Sequence, residues 1–322
     1  MMAVPRAAMV EREITAIPPL TPAERSIVDC HSLLNLYNVV RGELTGLGIL
    51  LADNENLFAA ALDACDRRVA RVGAAGTALA DAVRDQEFES IVHLEIEARL
   101  DQFPARRADA AVLASISNLD SFLWILHVRT LEYSARAAEP DRWVQVAATD
   151  LVADFQEWFR GLEQFSHGRL RFVYNLALKG PNDTYVDLRF EGRHGGLIRL
   201  PAVLKDVLRD LVANARKYTP SGGQLRAALH CGGDGVRLTV EDTGRGIPAD
   251  EIETVVGFGR RGSNVGDIRT LGAGCGLTKA FLATRELGGR FWIASAVGQG
   301  TRVRLHLPPE RGPGAADASL LG

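Results

Sequence analysis

The chain has 322 residues, with 37 Lys and Arg against 40 Asp and Glu and a net charge of -3. Its length suits about two domains, and 24% charged with 47% hydrophobic residues is the composition of a globular protein, not of a small disulfide-stapled module. The charge balance argues against a nucleic-acid binder held by net positive charge. The four cysteines form no CxxC pair, so neither a zinc site nor a disulfide framework is indicated.

The amino terminus has no apolar signal-peptide core, and no stretch approaches the about 18 continuous apolar residues of a membrane span. Scattered cysteines also suit a reducing compartment. We therefore expect a cytoplasmic protein without a membrane span.

The first 140 residues predict helices. Apolar residues recur at 4-and-3 spacing over residues 27–51 and again over residues 112–133. The first run is preceded by Thr21-Pro22-Ala23-Glu24, which supplies an N-cap, a first-turn proline and a capping-box acid. Residues 55–105 are Ala-rich and charged, and predict extra helices between these two runs.

After Pro140 the pattern alternates between helix and strand, which predicts an α+β domain. Helices are expected at 149–165, 201–217 and 277–287. Strands are expected at 143–147, 170–178, 184–190, 224–232, 235–242, 289–296 and 300–308, with antiparallel pairing of 224–232 with 235–242 and of the last two. The predicted fold is α+β, with an N-terminal helical bundle at 21–139 and an α/β sandwich at 140–309, between a flexible N-terminus at 1–20 and a disordered tail at 310–322.

Four short segments of the second half carry residue types that an ATP pocket needs. The first, DLVANARKYTP at 210–220, ends a predicted helix and places Asn214 one turn beyond its apolar stripe. The amide oxygen of Asn214 could bind a hard cation such as Mg²⁺. The alternative is an Asn that only forms a local hydrogen bond near a helix end.

The second segment, VEDTGRGIP at 240–248, runs from a predicted strand into a glycine turn. The carboxylate of Asp242 could accept a hydrogen bond from the exocyclic amine of adenine. Gly244 and Gly246 would let the backbone approach a planar ring closely. The alternative for Asp242 is a simple Asx-turn after a strand.

The third and fourth segments point to phosphate binding. GFGRRGSNV at 257–265 offers Arg260 and Arg261, which either neutralise phosphate charge or belong to a solvated basic loop. GAGCGLTKA at 272–280 places three glycines before a helix that begins near Leu277. Such a helix start presents free N–H groups to a phosphate.

In this order the four segments resemble the N box, first glycine box, F box and second glycine box of sensor histidine kinases. The broader superfamily includes gyrase, heat-shock chaperone and mismatch-repair ATPases. The resemblance covers residues 143–309. The run Lys217-Tyr218-Thr219-Pro220 resembles the end of the N box in the histidine-kinase branch of the superfamily. It implies binding of ATP and Mg²⁺. The implied ligands are Asn214 for the metal and, for the nucleotide, Lys217, Tyr218, Asp242, Gly244, Gly246, Arg260, Gly272, Gly274, Gly276 and Leu277.

Asp210 stands four residues before Asn214 on the same predicted helical face. In ATPases of the superfamily an acid at this place activates water, whereas in kinases it need not. The other boxes are kinase-like, so we favour a role for Asp210 in orienting the water shell of the metal.

A histidine kinase also needs a phosphoacceptor histidine on a helix of a dimeric bundle. The segment HSLLN resembles the H box that has His-x-x-x-Asn, which makes His31 the expected acceptor, partly exposed beside the bundle core, with Asn35 one turn below. It departs from that box in having Ser32 where the family has an acidic general base. His93 is the second candidate, although its surroundings resemble an H box less.

The resemblance therefore implies a soluble homodimeric kinase that phosphorylates His31 and passes the phosphoryl group to the aspartate of a response-regulator receiver. A separate sensor protein is a possible further partner, since no sensory module precedes the helices. The alternatives are an anti-sigma-type serine kinase, an ATPase that uses Asp210, and a phosphotransfer or scaffold protein of the same architecture without kinase activity.

Overall fold

The computed structural model describes residues 8–74, 87–139, 142–166, 169–192, 196–267 and 274–310. These residues form two compact units. The helical unit contains described residues 19–139, and the sheet unit combines residues 8–18 with the described residues from 142 onward. The described N-terminal residues 8–18 thus belong to the sheet unit.

The helical unit contains helices α1 (Pro22–Ala52), α2 (Ala59–Ala74), α3 (Glu87–Gln102) and α4 (Ala110–Ala138). The predicted capping box at the start of α1 is confirmed. The Glu24 carboxylate accepts from the Thr21 N–H at 2.8 Å, and the Thr21 hydroxyl accepts from the Glu24 N–H at 3.3 Å. Because these bonds satisfy backbone donors that a helix start leaves unpaired, they fix where α1 begins.

One apolar core joins all four helices of this unit. Tyr37, Leu44 and Leu51 of the stripe predicted for α1 are buried in it. The Tyr37 ring meets Phe88 of α3 edge to face at 5.4 Å. The extra helices predicted within 55–105 thus belong to the core. Its buried members include Leu33, Val40, Leu44, Leu47, Phe58, Phe88, Ile96, Leu119, Leu123 and Leu126.

Within α4, residues 110–131 are long and apolar enough to cross a membrane by length and composition alone, with a mean hydropathy of 1.4. The same stretch contributes Val112, Leu119 and Leu123 to the core of the helical unit. The expectation that the chain has no membrane span therefore stays a prediction.

The sheet unit contains helices α5 (Ala148–Phe165), α6 (Val203–Tyr218) and α7 (Gly276–Glu286). Its strands are β1 (Val10–Ile14), β2 (Trp143–Ala147), β3 (Phe172–Val173), β4 (Thr184–Glu191), β5 (Leu197–Pro201), β6 (Gln224–Gly232), β7 (Gly235–Asp242), β8 (Arg290–Ala296) and β9 (Gly300–Leu307). Seven strands form one mixed sheet in the order β1-β8-β9-β7-β6-β4-β3, and β2 pairs with β5 in a second, two-stranded sheet. The antiparallel pairs predicted for β6 with β7 and for β8 with β9 are confirmed.

The seven-stranded sheet buries one face and exposes the other. Along β6, Leu225 and Leu229 are buried whereas Arg226 and His230 are exposed, the alternation expected of a strand with one solvated face. The three helices contribute apolar residues to a core shared with the buried face. This two-layer α/β sandwich confirms the predicted fold class.

Two predictions about strands differ from the structure. Residues 10–14, expected in a flexible N-terminus, form β1, because Ile14 is buried to 2% exposure and Glu13 pairs with Arg290 of β8 at 2.8 Å. The strand predicted at 170–178 shrinks to the two residues of β3, which pair parallel to β4, and a 3-10 turn follows at Leu176–Leu178. Residues 1–7 and 311–322 lie outside the described residues, so most of the tail predicted at 310–322 is not described.

Candidate active site

Asp242 closes β7 and is buried to 8% exposure. Its Oδ1 accepts hydrogen bonds from the Gly244 N–H at 2.8 Å and the Thr301 N–H at 3.3 Å. The predicted Asx-turn is thus present, but among the residues that the structure describes both bonds go to Oδ1. Oδ2 remains available to an outside donor such as an exocyclic amine.

The buried position changes the acidity of Asp242. Burial raises the pKa of Asp242 to about 6, against the opposing effect of the hydrogen bonds from Gly244 and Thr301. The charged form loses solvation in this position, so a donor that bonds to it would stabilise the anion.

Gly244 and Gly246 lie in the turn that follows β7. Glycine is needed at both positions because backbone carbonyls approach them closely. A Cβ on Gly244 would lie 2.4 Å from the Tyr218 carbonyl oxygen and 2.7 Å from Asp242 Oδ1. Gly246 has a φ of +67°, and a Cβ there would lie 1.9 Å from the Ala296 carbonyl oxygen. Any side chain at either position would displace the turn that surrounds Asp242.

Asn214 lies in the last turns of α6, beside the start of α7. A Cβ on Gly276 would lie 2.8 Å from Asn214 Nδ2, so the amide packs against the bare Cα of this glycine. The predicted metal ligand and the second glycine segment are therefore neighbours. The side chain of Asn214 is only partly buried.

Lys217 and Tyr218 end α6 and lie in contact, with Lys217 Nζ 4.8 Å from the Tyr218 ring centroid. Burial, with smaller contributions from Arg261 and Arg216, lowers the pKa of Lys217 to about 8. Burial also raises the pKa of Tyr218, and Arg261 opposes that rise. An incoming anion would relieve the repulsion between Lys217 and Arg261.

The remaining predicted nucleotide ligands lie in the segment before α7 or in its first turn. Arg260 is exposed. Gly274 has a φ of +75°, and a Cβ there would lie 3.2 Å from the carbonyl oxygen of Arg260. Leu277 packs, partly buried, against the core of the sheet unit. Gly272 lies outside the described residues.

Sequence reasoning missed a buried cluster of charges beside Asn214. Lys279 of α7 is 3% exposed, and its Nζ lies 3.0 Å from Asp210 Oδ2 and 3.8 Å from Asp206 Oδ2. The available signal was the pair of acids four residues apart on α6 together with a lone lysine in the apolar stretch LTKAFL. Asp210 is thus a partner of an ammonium group.

The arrangement suits a nucleotide with a divalent cation. A buried carboxylate with an available oxygen suits adenine, and a partly buried amide oxygen suits Mg²⁺. Glycines that admit no Cβ suit a backbone that closes on a ligand, and Lys217 with the Arg260 and Arg261 segment suits phosphate charge.

The expected phosphoacceptor lies in the helical unit. His31 of α1 is 8% exposed, which corrects the expectation of a partly exposed side chain. Its neighbours Cys30 and Leu33 are core residues of the helical unit, and this location buries the imidazole. Asn35 Nδ2 lies 3.2 Å from His31 Nε2, so the predicted one-turn relation of the two side chains is present as a contact.

His93 differs from His31 in exposure. Its side chain is 52% exposed, and Nε2 lies 2.9 Å from Asp120 Oδ1. His127, on α4, faces Glu89 at 3.3 Å. Exposure alone would favour His93, whereas the sequence motif favours His31.

Comparison with known proteins supports the resemblance. Residues 200–311 match the family described as histidine kinase-, DNA gyrase B-, and HSP90-like ATPase. The chain is 37% identical over 180 residues to adaptive-response sensory kinase SasA of a Synechococcus species, which covers 55% of this chain and 44% of that protein. It is 39% identical over 108 residues to histidine protein kinase DivJ of Caulobacter vibrioides, which covers 33% of this chain and 17% of that protein. The chain spans less than half the length of each relative.

Solved structures give a weaker likeness. The catalytic domain of histidine kinase ThkA aligns with a TM-score of 0.36 and 19% identity, covering 52% of this chain and 95% of that domain. Full-length ShkA in complex with AMPPNP aligns with a TM-score of 0.38 and 18% identity, covering 64% of this chain and 40% of that one. TM-scores this low support nothing further. The likeness to histidine kinases therefore rests on the family match over residues 200–311 and on the sequence relatives.

Proposed function

We propose that the chain is an ATP-dependent protein-histidine kinase, because residues 200–311 match the histidine kinase-, DNA gyrase B- and HSP90-like ATPase family and the chain is similar to sensor histidine kinases. The observation that carries the proposal is the end of α6, which contacts both glycine turns. Asn214 lies against Gly276, and the Tyr218 carbonyl lies against Gly244 and accepts from the Arg245 N–H at 3.3 Å.

The proposed ligand roles are those that the resemblance implies. Asp242 Oδ2 accepts from the adenine amine, and the Gly244 and Gly246 turn lies along the ring. Asn214 would supply an oxygen to Mg²⁺, and Asp210 would orient the water shell of the metal. Lys217 and Arg260 offset phosphate charge, and Gly272, Gly274 and Gly276 allow the preceding segment to close on the triphosphate. When bound, Mg²⁺ neutralises charge on the β- and γ-phosphates.

The proposed reaction is transfer of the γ-phosphoryl group of ATP to His31. An imidazole nitrogen of His31 bonds to the γ-phosphorus while the bond from that phosphorus to the bridging oxygen breaks, and ADP leaves. The carboxylate of a response-regulator receiver then takes the phosphoryl group from the imidazole. Asn35, in contact with His31, orients the imidazole.

The proposed partners follow from the same relatives. We infer a homodimer formed through the helical unit, a response-regulator receiver as phosphoryl acceptor and, where input is separate, a sensor protein. A cytoplasmic location is part of this proposal.

The proposal is tested by incubating the chain with γ-labelled ATP and Mg²⁺. Wild type, His31→Ala, His93→Ala and Asp242→Ala are compared, and the label is tested for acid and alkali stability. An acid-labile, alkali-stable label present in wild type and His93→Ala but lost in the other two variants is the expected result. A label that survives His31→Ala moves the acceptor elsewhere.

The burial of His31 favours a second candidate, a phosphotransfer or scaffold protein of the same architecture without kinase activity. In that case the wild-type chain binds ATP but acquires no label. Labelling by a separate phosphorylated receiver domain would then identify phosphotransfer.

A further inference from the structure

A buried lysine joins the two helices that carry the proposed metal and phosphate ligands. Lys279 Nζ on α7 reaches two carboxylates of α6, Asp210 at 3.0 Å and Asp206 at 3.8 Å. Removing an ammonium group from water costs several kcal/mol unless anionic partners surround it. The two acids supply that compensation, so Lys279 and its partners form one electrostatic unit.

The spacing along α6 connects this unit to the proposed metal ligand. Asp206, Asp210 and Asn214 follow one another at four-residue intervals and so lie on one face of the helix. Opposite that face, α7 places Gly276 against Asn214 and Lys279 against Asp210. The Lys279 ion pair is therefore one helical turn from the contact between Asn214 and the second glycine segment.

The charge of Lys279 matters for whatever binds beside Asn214. In their ionised forms, two carboxylates and one ammonium carry a formal net charge of about -1, and loss of the ammonium would leave about -2. Carboxylates repel phosphates and attract divalent cations, and these effects are strong where water is excluded. Lys279 thus influences how the site treats a free nucleotide relative to its metal complex.

We propose that Lys279 is a positioning residue of the nucleotide site, which holds and neutralises the Asp210 carboxylate so that Asn214 is the ligand that faces the metal. This inference rests on the nucleotide site proposed above. In this inference the main role of Asp210 is to form the ion pair with Lys279, and its role in orienting the water shell of the metal is secondary.

The test is equilibrium binding of ATP to the full chain, once with excess EDTA and once with Mg²⁺. Lys279→Met is expected to weaken ATP binding in EDTA on the order of tenfold, because the positive charge of Lys279 no longer offsets the charge of the neighbouring carboxylates. The loss in Mg²⁺ is expected to be smaller, because the added negative charge attracts the cation. Lys279→Arg keeps the positive charge and is expected to stay within about threefold of wild type in both buffers.

The single Met variant removes the ammonium group that lies beside Asp206 and Asp210 and is expected to be less stable, so the decisive comparison uses two double variants. Lys279→Met/Asp210→Asn and Lys279→Met/Asp206→Asn remove the same charges from the same helices. The first is expected to restore wild-type affinity in EDTA, and the second to remain weak.

Equal affinities for the two double variants, or equal losses in EDTA and in Mg²⁺, would show that Lys279 is only structural and would overturn the inference. A wild-type chain that binds no ATP in either buffer would overturn the proposed function together with the inference. If the wild-type chain binds ATP and is labelled but the two double variants have equal affinities for ATP, only the inference is overturned.

Discussion

The sheet unit and the helical unit fix their candidate residues in different ways. In the sheet unit, Asp242 and its glycines lie at a chain reversal where backbone carbonyls come within 3 Å of the position that a Cβ would occupy. In the helical unit, His31 lies inside a long helix and its orientation depends on side-chain contacts such as that with Asn35. A turn that excludes side chains restricts the residue type strongly, whereas a helix accepts many residue types at each position.

The sharpest test of this contrast compares two glycines. Gly244→Ala places a Cβ 2.4 Å from the Tyr218 carbonyl oxygen, and we expect ATP affinity to fall on the order of 100-fold, because displacement of the turn misplaces Asp242. Gly42→Ala in α1 meets nothing within 4 Å and is the control. It should leave ATP binding unchanged and raise the free energy of unfolding by about 0.5–1 kcal/mol. Similar effects at the two positions would contradict the contrast.

A second test uses the stability of the nucleotide-free chain against pH. In the folded state the pKa of Asp242 is about 6, so the carboxyl keeps its proton up to about that pH, whereas the ordinary pKa is 3.8. Stability should therefore fall as pH rises from about 4 to 6, since the unfolded state ionises first. Asp242→Asn cannot ionise, so its melting temperature should exceed that of wild type by a margin that grows between those pH values and is constant above them. A margin that shrinks with rising pH would refute the role of burial.

A third test uses the pH dependence of ligand binding. Below about pH 6 protonation of Asp242 removes its acceptor charge, and above about pH 8 Lys217 loses its positive charge. ATP affinity should fall about tenfold per pH unit beyond each limit. Since phosphates also titrate near pH 6, the acid limit is measured with adenosine.

The matched variant for the alkaline limit is Lys217→Arg, which keeps its charge and should retain ATP affinity above pH 8. Adenosine binding should show no alkaline fall, because adenosine has no phosphate. An alkaline fall for adenosine would assign that limit to another group.

The smallest expected effect concerns the helical unit. Asn35→Ala removes the amide that lies 3.2 Å from His31 Nε2. The initial rate of protein labelling should change about threefold, as expected for one hydrogen bond of roughly 0.5–1 kcal/mol. ATP affinity, measured on the same sample, should stay at the wild-type value. A parallel change in ATP affinity would mean that the variant disturbs more than the imidazole.

Much of the sheet unit could be predicted from its sequence because its signals are local. Alternation identified β6 and β7, glycine turns followed strands at the expected places, and Thr21 with Glu24 marked the start of α1 in the other unit. Each of these signals depends on neighbours within a few residues.

The errors share a physical cause, which is dependence on distant partners. Residues 10–14 form β1 only because the edge of β8, more than 270 residues later, supplies hydrogen bonds and Arg290. The exposure of His31 depends on helices that pack across it. Lys279 can be recognised as an ion-pair residue only when its contacts with two acids on another helix are known. No local pattern contains this information.

The sequence by itself determined the helical and α+β regions, the order of the four nucleotide-site segments and the identity of Asp242 and Asn214 as candidates, because periodicity and turn chemistry are properties of short segments. Only the tertiary structure decided that Asn214 meets Gly276, that His31 is buried and that Asp210 pairs with Lys279. Those contacts join residues far apart in the chain, and burial and charge compensation exist only after such residues are packed together.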